Sequence, residues 1–292
     1  MTGPEGPTSP PSTRRRRGEV RIGTSGWRYA SWRGDFYPTG LRQRDELGHL
    51  SRELNAVELN GSFYSLQRPT SYAAWAEQVP EDFRFAVKGG RFITHMRRLT
   101  GVETALANFF ASGVLALGAK LGPVLWQLPA SLPFDEELLT SFFDLLPRTT
   151  ESAAELAGRH DAKLPDDRAL TTPLVSAPIR HALEPRHDSF HSPRAGDLLR
   201  RNDIAMVLSD SAGTWPTFDV VTTDLVYVRL HGDTELYRSG YSEAALEGWA
   251  DRVRGWSDQG LEVHVYFDND ARGHAPHDAR SLLRLVGTTG HA

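Results

Sequence analysis

Short apolar runs recur eight times along the chain, and longer segments with helical periodicity separate most of them. The runs are four to seven residues long, typical of strands, and they cover 20–24, 56–59, 83–87, 123–128, 181–184, 204–208, 225–230 and 261–267. The segments predicted as helices cover 41–54, 103–117, 135–146, 194–202, 243–258 and 276–286. Several of these segments begin with Ser or an acidic residue, as helix N-termini often do.

The alternation of strands and helices predicts parallel pairing, because each helix returns the chain to the start of the next strand. Eight such units favour the α/β class with a closed TIM-type (β/α)8 barrel. No Gly-x-Gly-x-x-Gly follows the first strand, which disfavours an open dinucleotide-binding sheet. We therefore expect one barrel domain over 19–288.

Three segments depart from this regular alternation. Residues 1–18 are rich in Pro, Gly, Ser and Thr and end in four arginines, which predicts a disordered basic tail. No convincing helix lies between Asp210 and Asp224, so that crossover is expected to be irregular. The stretch 151–178 begins with a helical pattern and continues with Asp, Pro and Thr, which predicts a long loop.

The composition is that of a globular protein and excludes several kinds of site. The chain is 39% hydrophobic and 24% charged, and its net charge of −4 argues against a surface devoted to duplex phosphates. It contains no cysteine, which excludes disulfides, thiolate catalysis and cysteine-ligated metals. No stretch of about 18 apolar residues occurs, and Arg14 to Arg17 precede no apolar signal core, so we expect a cytoplasmic protein without membrane contact.

Polar side chains follow the predicted strands at the end where barrel enzymes place their active sites. Alternation along a strand puts pairs of them on common faces: Glu58 with Asn60, Glu184 with Arg186, Arg229 with His231, and Tyr266 with Asp268. Each residue alone is equally consistent with a structural role, but their convergence on one mouth predicts a functional pocket. The candidate catalytic residues are His231, Glu58, Asp210 and Lys88, and the candidate substrate-binding residues are Arg186, Arg229, Gln127, Trp27, Tyr64, Tyr266, Asp268 and Asn269.

Residue chemistry suggests roles for the central members of this set. Lys88 is either a desolvated base or imine-forming amine, or a counter-ion for Glu58 or an anion-binding group, and we favour the latter two. Arg186 and Arg229 suit bidentate binding of a carboxylate or phosphate. His231 is a candidate for proton exchange near neutral pH.

The sequence leaves the cofactor unspecified, although a divalent metal is possible. Oxygen and nitrogen ligands are available, but they are scattered and lack the His-x-x-x-His type of spacing; they are Glu58, Glu184, Asp210, His231 and Asp268. Aromatic residues of the early loops, including Trp27 and Tyr64, suit either stacking on a sugar or base or packing as a lid.

Seven motifs follow one another in order between about residue 20 and residue 287. They are Ile22-Gly-Thr-Ser-Gly-Trp27, Val57-Glu-Leu-Asn60, Phe85-Ala-Val-Lys88, Leu125-Trp-Gln-Leu-Pro129, Leu183-Glu-Pro-Arg-His187, Tyr227-Val-Arg-Leu-His-Gly232 and Tyr266-Phe-Asp-Asn-Asp270. Together they resemble the DUF72 (YecE-like) family, which implies a TIM-type barrel but supplies no reaction or cofactor. The chain departs from the family pattern at Asp268, where we expect Asn, and the added carboxylate slightly favours a cation or polyol ligand.

The sequence therefore predicts an enzyme, an isomerase, lyase or hydrolase, that acts on a small polar or anionic metabolite by acid–base chemistry. Arg186, Arg229 and Lys88 would hold the anion, and His231 would work with Glu58 or Asp210. One alternative is a metal-dependent phosphodiesterase or another nucleic-acid-processing protein, although nucleic acid is not favoured as a partner. The other alternative is a non-catalytic ligand-binding barrel. The sequence does not predict protein partners.

Overall fold

A computed structural model of the protein describes residues 16–287 and contains a closed barrel of eight parallel strands surrounded by helices. Each strand pairs with the next, and the last strand pairs with the first. The predicted single-domain TIM-type fold is confirmed. The strands are β1 (Val20–Ser25), β2 (Ala56–Leu59), β3 (Arg84–Lys88), β4 (Leu121–Gln127), β5 (His181–Glu184), β6 (Ile204–Asp210), β7 (Leu225–Leu230) and β8 (Glu262–Phe267).

Helices follow most of the strands and pack against the outside of the barrel. Among the described residues they are α1 (Glu46–Glu53), α2 (Gly61–Tyr64), α3 (Pro69–Glu77), α4 (Glu103–Ala111), α5 (Glu136–Asp144), α6 (Thr150–Ala157), α7 (Pro193–Arg201), α8 (Glu243–Asp258) and α9 (Ala275–Val286). Helices α2 and α3 were not predicted, although the proline at the start of α3 is a common helix-initiating signal. Within the same residues, no helix is long and apolar enough to cross a membrane.

The helix predicted over 103–117 ends earlier, because Gly113 interrupts it. Gly113 has a φ of 115°, a conformation that side chains rarely adopt, and a Cβ there would lie 2.4 Å from Cα of Pro69. The chain continues over Val114–Lys120 as 3₁₀ turns that are interrupted at Gly118, and the apolar residues of this segment stay buried. The hydrophobic pattern therefore continues beyond the residue at which the α-helix ends.

The two segments expected to be irregular are irregular in the structure. Between β6 and β7 the described chain forms no helix; a turn in which Ser211 Oγ accepts from the Trp215 backbone N–H at 3.1 Å takes its place. The 151–178 stretch begins within α6, which Thr149 caps, and continues largely as loop to β5. Of the predicted tail, residues 1–15 lie outside the described residues, and Gly18 exchanges hydrogen bonds with Ser257 of α8.

The barrel interior combines small side chains on some strands with large ones on others, so that the space is filled. Its lower layers contain Ala56, Ala86, Ala182 and Ala205 opposite larger residues such as Tyr227. Above them the inward positions become polar, because the strand registers align Ser25 with Glu58, Gln127 with Glu184, and Ser209 with Arg229. This polar layer closes the barrel at the carboxyl ends of its strands, where TIM barrels carry their active sites.

Candidate functional site at the mouth of the barrel

A single guanidinium lies at the centre of the polar layer. Arg229, fully buried near the end of β7, donates to both carboxylate oxygens of Glu58, from Nε at 3.0 Å and from Nη2 at 2.8 Å. Its Nη1 donates to Glu184 at 2.9 Å, and its Nη2 also donates to Asp268 at 3.0 Å. Three carboxylates from three parts of the barrel therefore share one cation, and the guanidinium donors are occupied within the protein.

Further donors complete the coordination of the two fully buried carboxylates. Glu58 also accepts from Ser25 Oγ at 2.6 Å and from the Tyr227 hydroxyl at 2.7 Å, while Glu184 accepts from Arg186 at 2.9 Å. Burial acts to raise the pKa of Glu184, but Arg186 and Arg229 outweigh burial and hold the pKa well below its usual range. The same balance, with Arg229 as the main cation, lowers the pKa of Asp268. Glu184 and Asp268 are therefore ionised at neutral pH.

His231 is enclosed by this network. Its Nδ1 lies 3.1 Å from Asp268 Oδ2, without the alignment of a hydrogen bond, and its Nε2 lies 3.7 Å from Glu184 Oε1. Trp215 and Tyr237 cover the imidazole edge-on, with ring centroids 5.1 and 5.4 Å away. His231 has no exposed surface in this conformation, so the imidazole contacts the carboxylates and not a ligand at the mouth.

Lys88 differs from the other charged groups of the mouth because its ammonium has no hydrogen-bond or ion-pair partner within residues 16–287. The side chain is 9% exposed, and Nζ lies 4.4 Å above the ring of Phe63. Over the described residues, no acceptor lies within hydrogen-bonding distance of Nζ. Burial, reinforced by the charge of Arg229, lowers the pKa of Lys88 to about 8, and the charges of Glu58, Glu184 and Asp268 offset this only in part.

In the described chain, Lys88 is not paired directly with Glu58, although the charge of Glu58 acts to raise the pKa of Lys88. Arg229, Tyr227 and Ser25 already donate to both oxygens of Glu58. No carboxylate of the described chain lies within ion-pairing distance of Lys88 Nζ. The amine is left available to a ligand.

Three other polar groups line the mouth with some exposure. Gln127, 5% exposed, has an amide without a hydrogen-bond partner in the part of the chain that the structure describes. The Arg186 guanidinium stacks on Trp215, with Cζ 3.7 Å from the ring centroid. The Asp268 side chain is 19% exposed. Together with Lys88, these groups offer an ammonium, an amide, a guanidinium and a carboxylate to a small molecule.

Two predicted site residues are directed away from the mouth. Asp210 accepts from the Tyr241 hydroxyl at 3.0 Å and does not contact the carboxylate cluster, and burial raises its pKa. Asn269 donates to Asp278 of α9 at 2.7 Å and to the Ser239 carbonyl at 3.0 Å, which ties two loops to a helix. The contacts of both residues are those of structural supports.

The aromatic candidates are divided among three places. Tyr266 lies below the carboxylates, where its hydroxyl is 2.8 Å from His264 Nδ1. Trp27 is buried and packs edge-on against Trp75 at 5.4 Å. Tyr64 is 72% exposed on α2, at the rim and outside the mouth. The structure therefore does not assemble them into one stacking platform.

Several residues of the site were missed by the sequence argument. Tyr227 alternates with Arg229 along β7 and Ser25 ends β1, so period-two alternation could have identified both. Trp215 lies in the irregular crossover and Tyr237 has a positive φ of 62° in a loop, so no periodic signal points to either.

In the described part of the chain, the carboxylates are not arranged as a metal site. Across residues 16–287, no group of three or more His, Asp or Glu side chains is arranged to hold a metal ion. The oxygens of Glu58, Glu184 and Asp268 converge instead on the guanidinium of Arg229, at 2.8–3.0 Å. The arginine therefore provides the positive charge that a divalent cation would provide elsewhere.

The fold and this mouth define a TIM-barrel protein with a buried ion network at the carboxyl ends of its strands. The family described as "Protein of unknown function DUF72" matches residues 21–292. The chain belongs to the DUF72 family.

Named relatives and solved structures agree with this assignment. The UPF0759 protein YecE of Escherichia coli K12 is 30% identical over 70% of this chain and 75% of its own length. The UPF0759 protein YunF of Bacillus subtilis 168 is 25% identical over 91% and 94%. A DUF72 family protein from Thermotoga maritima MSB8 superposes with a TM-score of 0.74 at 24% identity, covering 92% of this chain and 99% of that chain. A second, from Enterococcus faecalis V583, gives 0.70 at 19% identity over 92% and 95%, so both share the fold.

We predict that Arg229→Met lowers the free energy of unfolding at pH 7 by about 3 kcal/mol or more, because Glu58 and Glu184 stay fully buried while the cation that they share with Asp268 is lost and Arg186 contacts Glu184 alone. Without Arg229, the pKa values of Glu184 and Asp268 rise. The deficit is therefore largest at neutral pH and shrinks as the carboxylates take up protons below about pH 5. Urea unfolding followed by circular dichroism measures it.

The matched control is Arg200→Met, which removes an exposed pair with Asp197 at 2.8 Å and is expected to cost less than about 1 kcal/mol. Equal effects of the two substitutions would contradict the central role of Arg229.

Proposed function

We propose that the protein is an enzyme that acts on a small polar metabolite with an anionic group, by acid–base chemistry at the mouth of the barrel. The observation that carries the proposal is the unpartnered ammonium of Lys88, nearly buried at the end of β3, with its pKa lowered to about 8. Groups that exchange protons in enzymes are tuned toward the working pH in this way. A structural lysine at such burial normally has a carboxylate or carbonyl partner.

The choice of lysine at this position supports a role that arginine cannot fill. Only three of the 33 basic side chains are lysines, and Lys88 is one of them. Lys120, by contrast, is held by two backbone carbonyls, those of Ala76 at 2.7 Å and Val79 at 2.9 Å. A lysine can release its proton near pH 8 when it is desolvated, whereas arginine stays charged.

The surrounding groups suit binding of the substrate. Gln127 offers an amide whose hydrogen-bonding capacity is unused, and Arg186 offers a guanidinium edge next to Trp215. Asp268 is the partly exposed carboxylate of the cluster and is ionised, so it can accept a hydrogen bond from a substrate hydroxyl or ammonium. Arg229, Glu58 and His231 position these groups from below and, in this conformation, do not reach the ligand.

In the proposed reaction, the ammonium of Lys88 binds the substrate anion or donates a proton, and the neutral amine accepts one. The fixed charges of the Arg229 cluster do not need to reorganise while the proton moves, which is a source of rate enhancement in enzymes. An isomerase, a lyase and a hydrolase can all use a lysine and a carboxylate in these roles. A cytoplasmic location, a nucleic-acid partner and the metal-dependent phosphodiesterase alternative stay predictions, and the carboxylate geometry disfavours the last of these.

We predict that Lys88→Met raises the free energy of unfolding at pH 7 by about 2 kcal/mol, because the folded state no longer buries an unpaired charge. The pKa of Lys88 is about 8 in the folded protein against 10.5 ordinarily. From pH 8 to 10.5 the unfolded wild type therefore binds more protons than the folded form, and its stability rises with pH. The advantage of the variant should shrink across that interval, as measured by urea unfolding at pH 7, 8, 9 and 10.

Lys163→Met, at an exposed position, is the control for this series and should change the unfolding free energy by less than about 0.5 kcal/mol. A Lys88→Met protein that is less stable than wild type at pH 7 would show that the amine has a stabilising partner, and would remove the basis of the proposal.

The proposal also predicts which ligands stabilise the protein. Thermal unfolding is measured with pyruvate, malate, citrate, glycerol 3-phosphate and ribose 5-phosphate, and turnover of each is followed by proton NMR. At least one should raise the melting temperature of wild type and of Lys163→Met, but not of Lys88→Met. Lys88→Arg keeps the charge without the accessible proton, so it should retain binding and lose turnover by about a hundredfold or more.

Three outcomes of this screen count against the proposal in different ways. Stabilisation of Lys88→Met equal to that of wild type would show that the anion does not bind at Lys88. Binding without turnover in wild type would favour the non-catalytic ligand-binding barrel, an alternative that the full enclosure of His231 also supports. No stabilisation by any of the five would count against an anionic metabolite.

A further inference from the structure

A cavity lies beside the mouth, between the loops that follow β2 and β3. It has a volume of about 730 Å³ and is bounded by α2, by a single turn of π-helix at Phe92–Met96, and by one face of α4. Phe63 separates it from the mouth, since its ring lines the cavity and also carries Lys88 Nζ at 4.4 Å. We call this cavity the rim groove.

Exposed apolar side chains are concentrated in the rim groove. Eight large apolar side chains among the described residues are substantially exposed, and four of them line it: Tyr64, Leu66, Phe92 and Met96. Met96 is 63% exposed on a turn that is otherwise anchored by the buried Ile93. A contiguous set of exposed apolar groups around a concavity is typical of a binding site, whereas scattered single residues are not.

Most of the charged side chains that line the rim groove are cations. Arg91, Arg97 and Lys163 line it, and no carboxylate of the described residues lies within ion-pairing distance of any of them. The acidic residue in the lining, Asp161, is already engaged, because it accepts from Asn108 Nδ2 at 2.9 Å and from the Lys163 backbone N–H at 3.0 Å. The rim groove therefore combines an apolar lining with a net positive charge.

The segment that follows the π-helical wall of the rim groove is conformationally strained, and contacts outside the groove hold it in place. After the π-helical turn, Arg98 and Leu99 both have positive φ, 49° and 68°. Each such non-glycine residue costs about 1–2 kcal/mol. The Leu99 side chain is buried, and Arg98 donates to Ser131 Oγ at 2.9 Å and to its carbonyl at 2.8 Å. π-helical turns and strained loops occur frequently at ligand sites.

We propose that the rim groove binds a small amphipathic anion, a molecule with an aryl or short acyl body and one carboxylate, sulfonate or phosphate. The body would lie on Leu66, Phe92 and Met96, and the anion would contact Arg91, Arg97 or Lys163. The volume lies within the range of about 300–1,000 Å³ that is usual for small-molecule sites. This site is separate from the mouth and does not depend on the reaction proposed for Lys88.

The test uses the fluorescent aryl sulfonate 8-anilinonaphthalene-1-sulfonate as the probe, with octanoate and octanol as competitors, on the full chain. We expect saturable binding that Met96→Asp and the double variant Arg91→Glu with Lys163→Glu each weaken about tenfold or more, or about 1.4 kcal/mol. Octanoate should displace the probe at a concentration at least about tenfold lower than octanol does. All substituted positions are exposed, and the melting temperature of each variant verifies its fold.

The matched control is Leu285→Asp, which places a charge on an exposed apolar position of α9, away from the rim groove. It should change the affinity for the probe less than about twofold, and Lys88→Met should do the same. The Lys88→Met control distinguishes the rim-groove proposal from the proposed enzyme function. If one of the two proposals fails, the other can still be tested.

Three results would overturn the proposal. Equal weakening by Leu285→Asp, or no weakening by the rim-groove variants, would show non-specific probe binding. Displacement by octanol as effective as displacement by octanoate would remove the anion-binding role. An acidic amphipathic peptide that binds and is lost in the rim-groove variants, while octanoate does not bind, would assign the site to a protein partner.

Discussion

The pairing of three carboxylates with Arg229 is the constraint on which the mouth of this barrel depends. Two of these carboxylates, Glu58 and Glu184, have no contact with solvent, and an isolated buried charge costs several kcal/mol even after relaxation. Arg229 stabilises these carboxylates because its planar guanidinium donates hydrogen bonds to all three of them at 2.8–3.0 Å. Since these residues come from β2, β5, β7 and the end of β8, the ion network also connects strands around the barrel.

The state of Lys88 depends on how these buried charges are paired with one another. Glu58, Glu184 and Asp268 form their ion pairs with Arg229 and Arg186, and their charge offsets only part of the effect that burial and Arg229 have on Lys88. Among the described residues, Lys88 is thus a charged group that is largely desolvated and has no direct ion-pair partner. Such a group destabilises the fold and is chemically useful only when a ligand or a proton transfer employs it, a trade-off that is common at active sites.

The sequence was sufficient to predict the barrel and much of its mouth. Alternation of strand and helix predicted eight parallel strands, and period-two alternation placed Glu58, Glu184 and Arg229 on inward faces, where the structure brings them together. Asp210 lies on the opposite face of β6, because it follows Ser209, which pairs in register with Arg229. That register is a property of the folded barrel and cannot be obtained from the sequence alone.

Other features of the site could not be predicted from the sequence, because they depend on distances between separate loops. Within the described residues, Lys88 does not pair with Glu58, because the carboxylate of Glu58 is hydrogen-bonded to Arg229, which lies 141 positions later in the chain than Lys88. Trp215 reaches Arg186 from a crossover without any periodic pattern. The rim groove forms between two loops and a helix face. Its positive charge follows from contacts in the folded chain, where the carboxylate of the lining, Asp161, is bonded to Asn108.

The most direct test of the account is the titration of Lys88 itself. With three lysines in the chain, protein labelled with ¹³C at lysine Cε gives three signals, and the signal that disappears in Lys88→Arg identifies Lys88. The account predicts that this signal titrates with a midpoint near pH 8, well below the value of about 10.4 for lysine in a peptide. A midpoint of 10 or above would mean that a carboxylate or solvent compensates the ammonium, and would contradict the central claim.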